Sequence, residues 1–361
     1  MQTNMRNFFR ALSLSHGSCK PPWKILFFGT DRFAVHSLKA LHENQRIRTS
    51  GRIVELIDVV CPPDNRKVIK KPLNEDDSTR EFSSKHNIPI YYWNNKDGWE
   101  LNQGPPGPYD IAVVASFGYL IPNRILDMFP CGAINIHPSL LPQWKGAAPM
   151  SHAILNGAKE TGISIVEVSR DRFDAGQCIL QQTFKIPEDI MYDDLSDQLA
   201  TLGTQMLMHA LENLESLRKN PMQLRKMKAS WAHRLTKEDG YIDWTHHTWS
   251  YIRRRWNALS SRVGVQTSWR GKKVKLIKMS KECLQLTPED GESTIPGEVK
   301  YDRDRDTLFI RCRDAWVGVT ELQFETKTVI TARDFANAYL HLSSIHNPSK
   351  SCFQSLPWKE R

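Results

Sequence analysis

From Trp23 onward, apolar runs of strand length alternate with segments whose apolar residues recur at helical spacing. KILFFGT (24–30) reads as a buried strand ending at Gly29, and DRFAVHSLKALHEN (31–44) as a helix with Phe33, Leu38 and Leu41 turned inward. RIVELIDVVC (52–61), IPIYYW (88–93), DIAVVASFGYLIP (110–122) and AINIH (133–137) continue the strand pattern. STREFSSKHN (78–87) and a short piece reaching Met128 read as helices between them. MSHAILNGA (150–158) is a further helix, TGISIVEVS (161–169) and AGQCILQQTFKI (175–186) are two more strands, and residues 194–214 carry the spacing of a long amphipathic helix. Strands alternating with helices predict an α/β domain, a doubly wound, mainly parallel sheet covered on both faces, of the Rossmann-like kind.

The pattern changes in kind near residue 216, where a polar, basic stretch reads as a linker. Beyond it, YIRRRWNAL (251–259) is a short helix, and GVQTSWR–GKKVKLIKM (264–279) a hairpin turning at Arg270-Gly271. PGEVKYD, DTLFIRCRD and WVGVTELQ add short strands, which together predict a small, OB-like β-barrel. The division expected from this pattern is a leader at 1–20, an α/β domain at 21–222, a linker at 223–240, a barrel domain at 241–345 and a tail at 346–361. The length of 361 residues suits two domains better than one.

No apolar run approaches 18 residues, so a soluble, non-spanning chain is expected. Seven scattered cysteines, never spaced C-x-x-C, argue against a disulfide framework or a structural zinc site and for a reducing compartment. The first thirty residues contain no Asp or Glu, and Arg6 and Arg10 lie four apart with Phe8, Phe9 and Leu12 available for an opposite face. That composition fits a mitochondrial transit segment, an ordinary tail being the alternative. Residues 241–361 hold 20 Lys or Arg against 14 Asp or Glu, so six of the nine net positive charges lie there. Between Thr245 and Ser280 there is no acid at all, and Trp256 and Trp269 are interleaved with the cations. A one-sign stretch with tryptophans on a barrel points to nucleic acid.

The chemistry gathers in GAINIHPSLLPQWKGAAP (132–149). Asn135 and His137, at i and i+2, share one face at the carboxyl end of a strand, where ligands bind in open α/β sheets. Asp174 sits in the turn between the next two strands, with Gly176 allowing a tight backbone. Amide, imidazole and carboxylate suit acyl transfer: two donors for an oxyanion, and an acid to orient the ring or take a proton. Ser139 is not in a nucleophile-elbow setting, so the nucleophile comes from a substrate, most simply an amine. Singly, each residue has a blander reading: a turn or cap for Asn135, a satisfied polar ring for His137, an Asx-turn for Asp174. The residues by themselves reach acyl or one-carbon transfer and no further.

N-I-H-P-S-L-L-P, then G-A-A-P, then D-A-G resembles the folate-dependent formyltransferase family, and KILFFGTDRFA, DIAVVASFGYLIP, GYIDW, W-R-G-K-K-V-K and PGEV extend the resemblance over residues 23 to 345. It implies 10-formyltetrahydrofolate as formyl donor, no metal, and Asn135, His137 and Asp174 as the catalytic set. With the basic barrel it implies initiator methionyl-tRNA as acceptor, in the mitochondrial matrix, with a monomer as the expected state. Phe117, Gly118, Tyr119 and Leu120, then Ser139, Leu140, Leu141 and Pro142, with Val166 and Val168, are expected to hold the folate. Arg66, Lys67, Lys70 and Lys71 of the loop PPDNRKVIKKP are expected to meet the tRNA end in place of the bacterial glycine-rich loop. Arg253, Arg254, Arg255, Arg270, Lys272, Lys273 and Lys275 are expected to meet its phosphates. The chain also departs from its relatives in having Gln177 after the D-A-G, and a one-residue-longer SRDRFD turn. Two alternatives are a formyltransferase acting on a small amine such as glycinamide ribonucleotide, and a non-catalytic tRNA-binding protein.

Overall fold

The computed structural model describes residues 19–62, 78–93, 99, 104–223, 227–287, 294–340 and 352–357. The chain forms two compact units, one made of Met1–Pro149, Glu160–Lys185 and Ser196–Ala232, the other of Met150–Lys159, Ile186–Leu195 and His233–Arg361. A single cut near residue 222 does not anticipate that residues 150–159 and 186–195 join the second unit.

Strands of the first unit are β1 (Trp23–Gly29), β2 (Val54–Cys61), β3 (Ile90–Tyr92), β4 (Ile111–Ala115), β5 (Ala133–His137), β6 (Lys145–Gly146), β7 (Glu160–Glu167), β8 (Cys178–Lys185) and β9 (Trp231–Ala232). Seven of them form one sheet in the order β3-β2-β1-β4-β5-β7-β8, while β6 and β9 make a separate two-strand ribbon. β1 to β5 pair in parallel, whereas β7 runs antiparallel to β5 and β8 antiparallel to β7. The continuous apolar runs of β1 and β4 follow from burial on both faces of a parallel sheet. Helices α1 (Arg32–Gln45) and α2 (Thr79–Lys85) begin at Asp31 and Ser78, whose side chains accept the N–H of Ala34 and of Glu81. On one face of the sheet, Phe28, Trp93, Trp99, Phe117 and Phe129 pack as a ring cluster, with Phe28–Phe117 and Trp93–Phe117 edge to face at 5.2 and 5.1 Å.

The strand expected over 110–122 stops at Ala115. Ser116 and Gly118 take positive φ (48° and 76°), which turns the chain off the sheet, drops Phe117 into the core and leaves Gly118, Tyr119 and Leu120 on the surface. The short helix that follows is α3 (Asn123–Leu126). α4 (Pro149–Leu155), α5 (Tyr192–Glu212) and α6 (Leu214–Lys219) match the helical spacing of their segments.

In the second unit, α7 (Trp249–Leu259) accompanies an antiparallel, curled sheet of β10 (Val265–Trp269), β11 (Lys272–Gln285), β12 (Val299–Asp302), β13 (Thr307–Arg311), β14 (Ala315–Phe324), β15 (Val329–Thr331) and β16 (Phe353–Gln354), with α8 (Ala332–Phe335) after β15. Its order is β12-β13-β14-β11-β10-β16, with β15 on β14. The β10–β11 hairpin turns at Arg270 and Gly271, both at positive φ, as a two-residue loop between twisted strands requires. Register shifts between Leu276 and Cys283 bend the long β11 so that it curls.

Two expectations need correction. Cys19 and Cys131 are joined by a disulfide, leaving Cys61, Cys178, Cys283, Cys312 and Cys352 free. Scattered spacing concealed the pair because its members are 112 residues apart. Trp269 is 1% exposed and belongs to an aromatic core with Phe335 and Phe353, so it offers no face to a nucleic acid. Among the described residues no helix is long and apolar enough to cross a membrane.

Candidate active site

β5 ends the parallel part of the sheet, and its alternation puts Ile134 and Ile136 into the core while Asn135 and His137 share the other face. The β7–β8 hairpin brings Asp174 to them. Asp174 has φ of 51°, in the left-handed region that Asp tolerates better than most side chains. Gly176 lies so close to the Glu167 carbonyl that a Cβ there would fall 1.8 Å from the oxygen, so only glycine closes this turn.

Asp174 Oδ1 lies 3.3 Å from His137 Nδ1, and the two side chains are only 7% and 5% exposed. Its Oδ2 accepts the backbone N–H of Gly146 at 2.8 Å. His137 Nε2 faces the Trp144 carbonyl at 3.1 Å. The ring therefore stands between two acceptors: a neutral imidazole has one N–H for the pair, an imidazolium has one for each. Asn135 is half-buried, and its carboxamide makes no hydrogen bond among the described residues. An unengaged amide beside a fixed imidazole is what a developing oxyanion would need.

The loop after β5 is tied down at nearly every residue. Ser139 donates to Gln143 O at 2.6 Å, Ser164 donates to Ser139 O and receives the Leu141 N–H, and Gln181 donates to both Leu141 O and Ser164 Oγ. Trp144 N donates to Ser230 Oγ at 2.9 Å. On the ribbon, Lys145 pairs with Trp231 and Gly146 with Ala232. Ser164, Gln181, Trp144 and Ser230 were not singled out from the sequence. The one signal was the two-residue period of β7, which places Ser164 opposite His137.

Of the residues expected on folate, Phe117, Leu140, Leu141 and Val166 are buried in the core and Ser139 is fully buried in the loop network. Gly118, Tyr119 and Leu120 are exposed, and Pro142 and Val168 are half-buried, so these five have surface to offer. Arg66, Lys67, Lys70 and Lys71 lie outside the described residues. In the second unit, Arg253 forks onto Asp189 with two 2.6 Å bonds, Asn257 adds a third donor to that carboxylate, and Arg255 donates to the Asp239 carbonyl and Tyr251 hydroxyl. Both arginines are buried, which runs against their expected place on phosphates. Arg254 is half-buried and donates to Leu155 O. Arg270, Lys272 and Lys273 are exposed at the hairpin tip, and Lys275 is half-buried. Among the described residues no group of three or more His, Cys, Asp or Glu is placed to hold a metal ion.

A Rossmann-like sheet with an amide, an imidazole and a carboxylate at its carboxyl edge, and no nucleophile of its own among them, defines a group transferase. Family models place it further: residues 23–211 match the formyl transferase family and residues 234–340 the formyl transferase C-terminal domain, so the chain belongs to the formyl transferase family of enzymes. It is 33% identical over 344 residues to the mitochondrial methionyl-tRNA formyltransferase of Homo sapiens, covering 93% of this chain and 84% of that one. Two solved structures share the fold. One is the N-formyltransferase of Helicobacter canadensis in complex with folinic acid and dTDP-3-aminofucose (TM-score 0.55, 17% identity, 84% of this chain and 99% of that one). The other is HypX of Aquifex aeolicus in complex with tetrahydrofolic acid (TM-score 0.54, 19% identity), which matches 88% of this chain but only 47% of its own.

Proposed function

We propose that the protein transfers the formyl group of 10-formyltetrahydrofolate to the α-amino group of methionine on initiator methionyl-tRNA, in mitochondria and ahead of translation. Named relatives supply the acceptor and the compartment. The single observation that carries the chemistry is the placement of Asn135, His137 and Asp174 at one strand end, with the carboxamide unengaged.

The reaction needs a neutral amine to attack the formyl carbon, a place for negative charge on the formyl oxygen, and a sink for the ammonium proton. Asn135 and the His137 Nε2–H are the donors for that oxygen; to serve it, His137 turns its hydrogen from the Trp144 carbonyl to the substrate. Asp174, fixed by Gly146 and paired with Nδ1, keeps the ring oriented and accepts the proton as the amide forms. Asp174 returns that proton to the folate nitrogen, directly or through the ring, and the folate leaves protonated. Gly118, Tyr119, Leu120, Pro142 and Val168 are the surfaces offered to the donor, and Arg270, Lys272, Lys273 and Lys275 those offered to phosphates. The charge of Arg66, Lys67, Lys70 and Lys71 suits the acceptor end. The acid-free leader at 1–20 suits a transit segment.

A formyl-transfer assay offering methionyl-tRNA, uncharged tRNA and glycinamide ribonucleotide in parallel tests the reading. Formyl-methionyl-tRNA formed by the wild type and lost in His137→Ala supports it. Formylation of the small amine alone overturns the acceptor, and no transfer at all overturns the activity.

A further inference from the structure

Trp231 is 71% exposed, the most open of the large hydrophobic side chains described. A single exposed tryptophan is ordinary by itself; its position is not. It stands on β9 in register with Lys145 of β6, so the indole and the lysine leave the ribbon on the same face, while Ala232, next to Trp231, is fully buried. The other side of β6 is the catalytic side, where the Gly146 N–H holds Asp174 at 2.8 Å. One strand spacing and one hydrogen bond of 2.8 Å, together under about 10 Å, therefore separate the β9 backbone from the carboxylate. The ribbon that fixes Asp174 also fixes Trp231.

Cations flank the indole on the ribbon and along the chain: Lys145 is its ladder partner, and Lys228 is exposed three residues before it. In sequence, residues 216–237 carry seven Lys or Arg and no acid. A flat ring presented to water beside cations is the arrangement that stacks a nucleobase and holds the adjoining phosphate. In an aminoacyl ester the reacting amine and the terminal base are carried by one ribose, so the terminal base is the one that covalent geometry brings beside an occupied site. Resting on the functional reading above, we infer that Trp231 is the stacking platform for the nucleobase of the acceptor's 3′-terminal nucleotide, with Lys145 facing its phosphate. It is a positioning residue, acting on where the amine lies.

The test compares wild type, Trp231→Ala and Trp231→Phe with methionyl-tRNA and with 3′-O-methionyl-adenosine as acceptors, alongside quenching of tryptophan fluorescence by the trinucleotide CCA. Expected for Trp231→Ala is a rise of about five- to a hundredfold in KM for both acceptors, the range that one stacked base corresponds to. KM for 10-formyltetrahydrofolate and the melting temperature stay unchanged, Phe restores most of the loss, and CCA quenching disappears. A rise for intact tRNA alone places the stacked base elsewhere and overturns the inference, as does a rise in donor KM, which would make Trp231 a folate contact. Unchanged acceptor KM with active wild type overturns it and leaves the functional reading standing. If the wild type formylates no methionyl acceptor, the functional reading fails, and absence of Trp231-dependent CCA quenching then overturns the platform separately.

Discussion

At the scale of single residues, the candidate site leaves one group, Asn135, unengaged among the described residues and commits His137 and Asp174 to fixed partners. Asn135 has no partner to lose among the described residues, so Asn135→Ala removes a donor without opening the core. It is expected to lower kcat about a hundredfold or more, one oxyanion donor being worth roughly 3 kcal/mol, with methionyl-tRNA affinity unchanged in a direct binding assay. Asn135 and His137 were legible because a two-residue period is a property of strands and they lie two apart. Asp174 was legible only as a carboxylate near a turn; its left-handed backbone and its bond to Gly146 depend on a partner 28 residues away. Trp144 was not legible at all, since it enters through its carbonyl, which every residue has.

Among elements, the two-residue ribbon of β6 and β9 joins the Asp174 carboxylate to the strand carrying Trp231. Gly146 has φ of 119°, and a Cβ there would lie 2.6 Å from the Ala232 carbonyl oxygen. Gly146→Ala therefore pushes the strands apart and frees Asp174. The expected outcome is a loss of at least tenfold in kcat/KM with a melting temperature within a few degrees of wild type, read by steady-state kinetics and calorimetry. Strands this short have no pattern to read, which is why the ribbon was missed while β1, β2, β4 and β5 were found. Element α7 teaches the complementary lesson. A run of three arginines looks like a binding face, but Arg253 is buried and engaged by Asp189, 64 residues earlier and on no predicted face. Arg253 holds that carboxyl below its usual range, chiefly through their hydrogen bonds. Arg253→Met is expected to cost on the order of 1 kcal/mol, because Asp189 is exposed and keeps the Asn257 donor, and to appear as a slightly lower melting temperature with little change in tRNA binding at permissive temperature.

For the whole molecule, the charge excess and the titrating groups set the conditions under which it holds together and binds. Charge reversals at Arg270 and Lys273, exposed at the hairpin tip, are expected to weaken tRNA binding and flatten its salt dependence by about one unit of slope per lost contact, without altering the melting temperature. Acid acts through His247. It is buried and receives the Asp243 N–H on Nδ1, and burial, followed by the Arg255 charge, lowers its pKa from 6.5 to about 4. An unfolded chain binds this proton more readily than the folded one. The stability tied to a neutral His247 is thus complete above pH 6.5 and is lost as pH falls toward 4, by roughly 2 to 3 kcal/mol. Denaturant melts of wild type and His247→Gln across that window check it, and the variant should lose the slope. The mainly parallel α/β class of the first sheet and the small, all-β class of the second were legible because they follow from periodicity and strand–helix alternation, whereas the strand order was not. The pairing of Cys19 with Cys131 was not, because it depends on where two distant segments end up. That pairing sets a limit on N-terminal trimming. Cleavage beyond residue 19 would discard one sulfur and leave Cys131 as a free thiol, so any product that keeps the cross-link begins at Cys19 or earlier, and the intact mass of the purified protein reads which of the two it is.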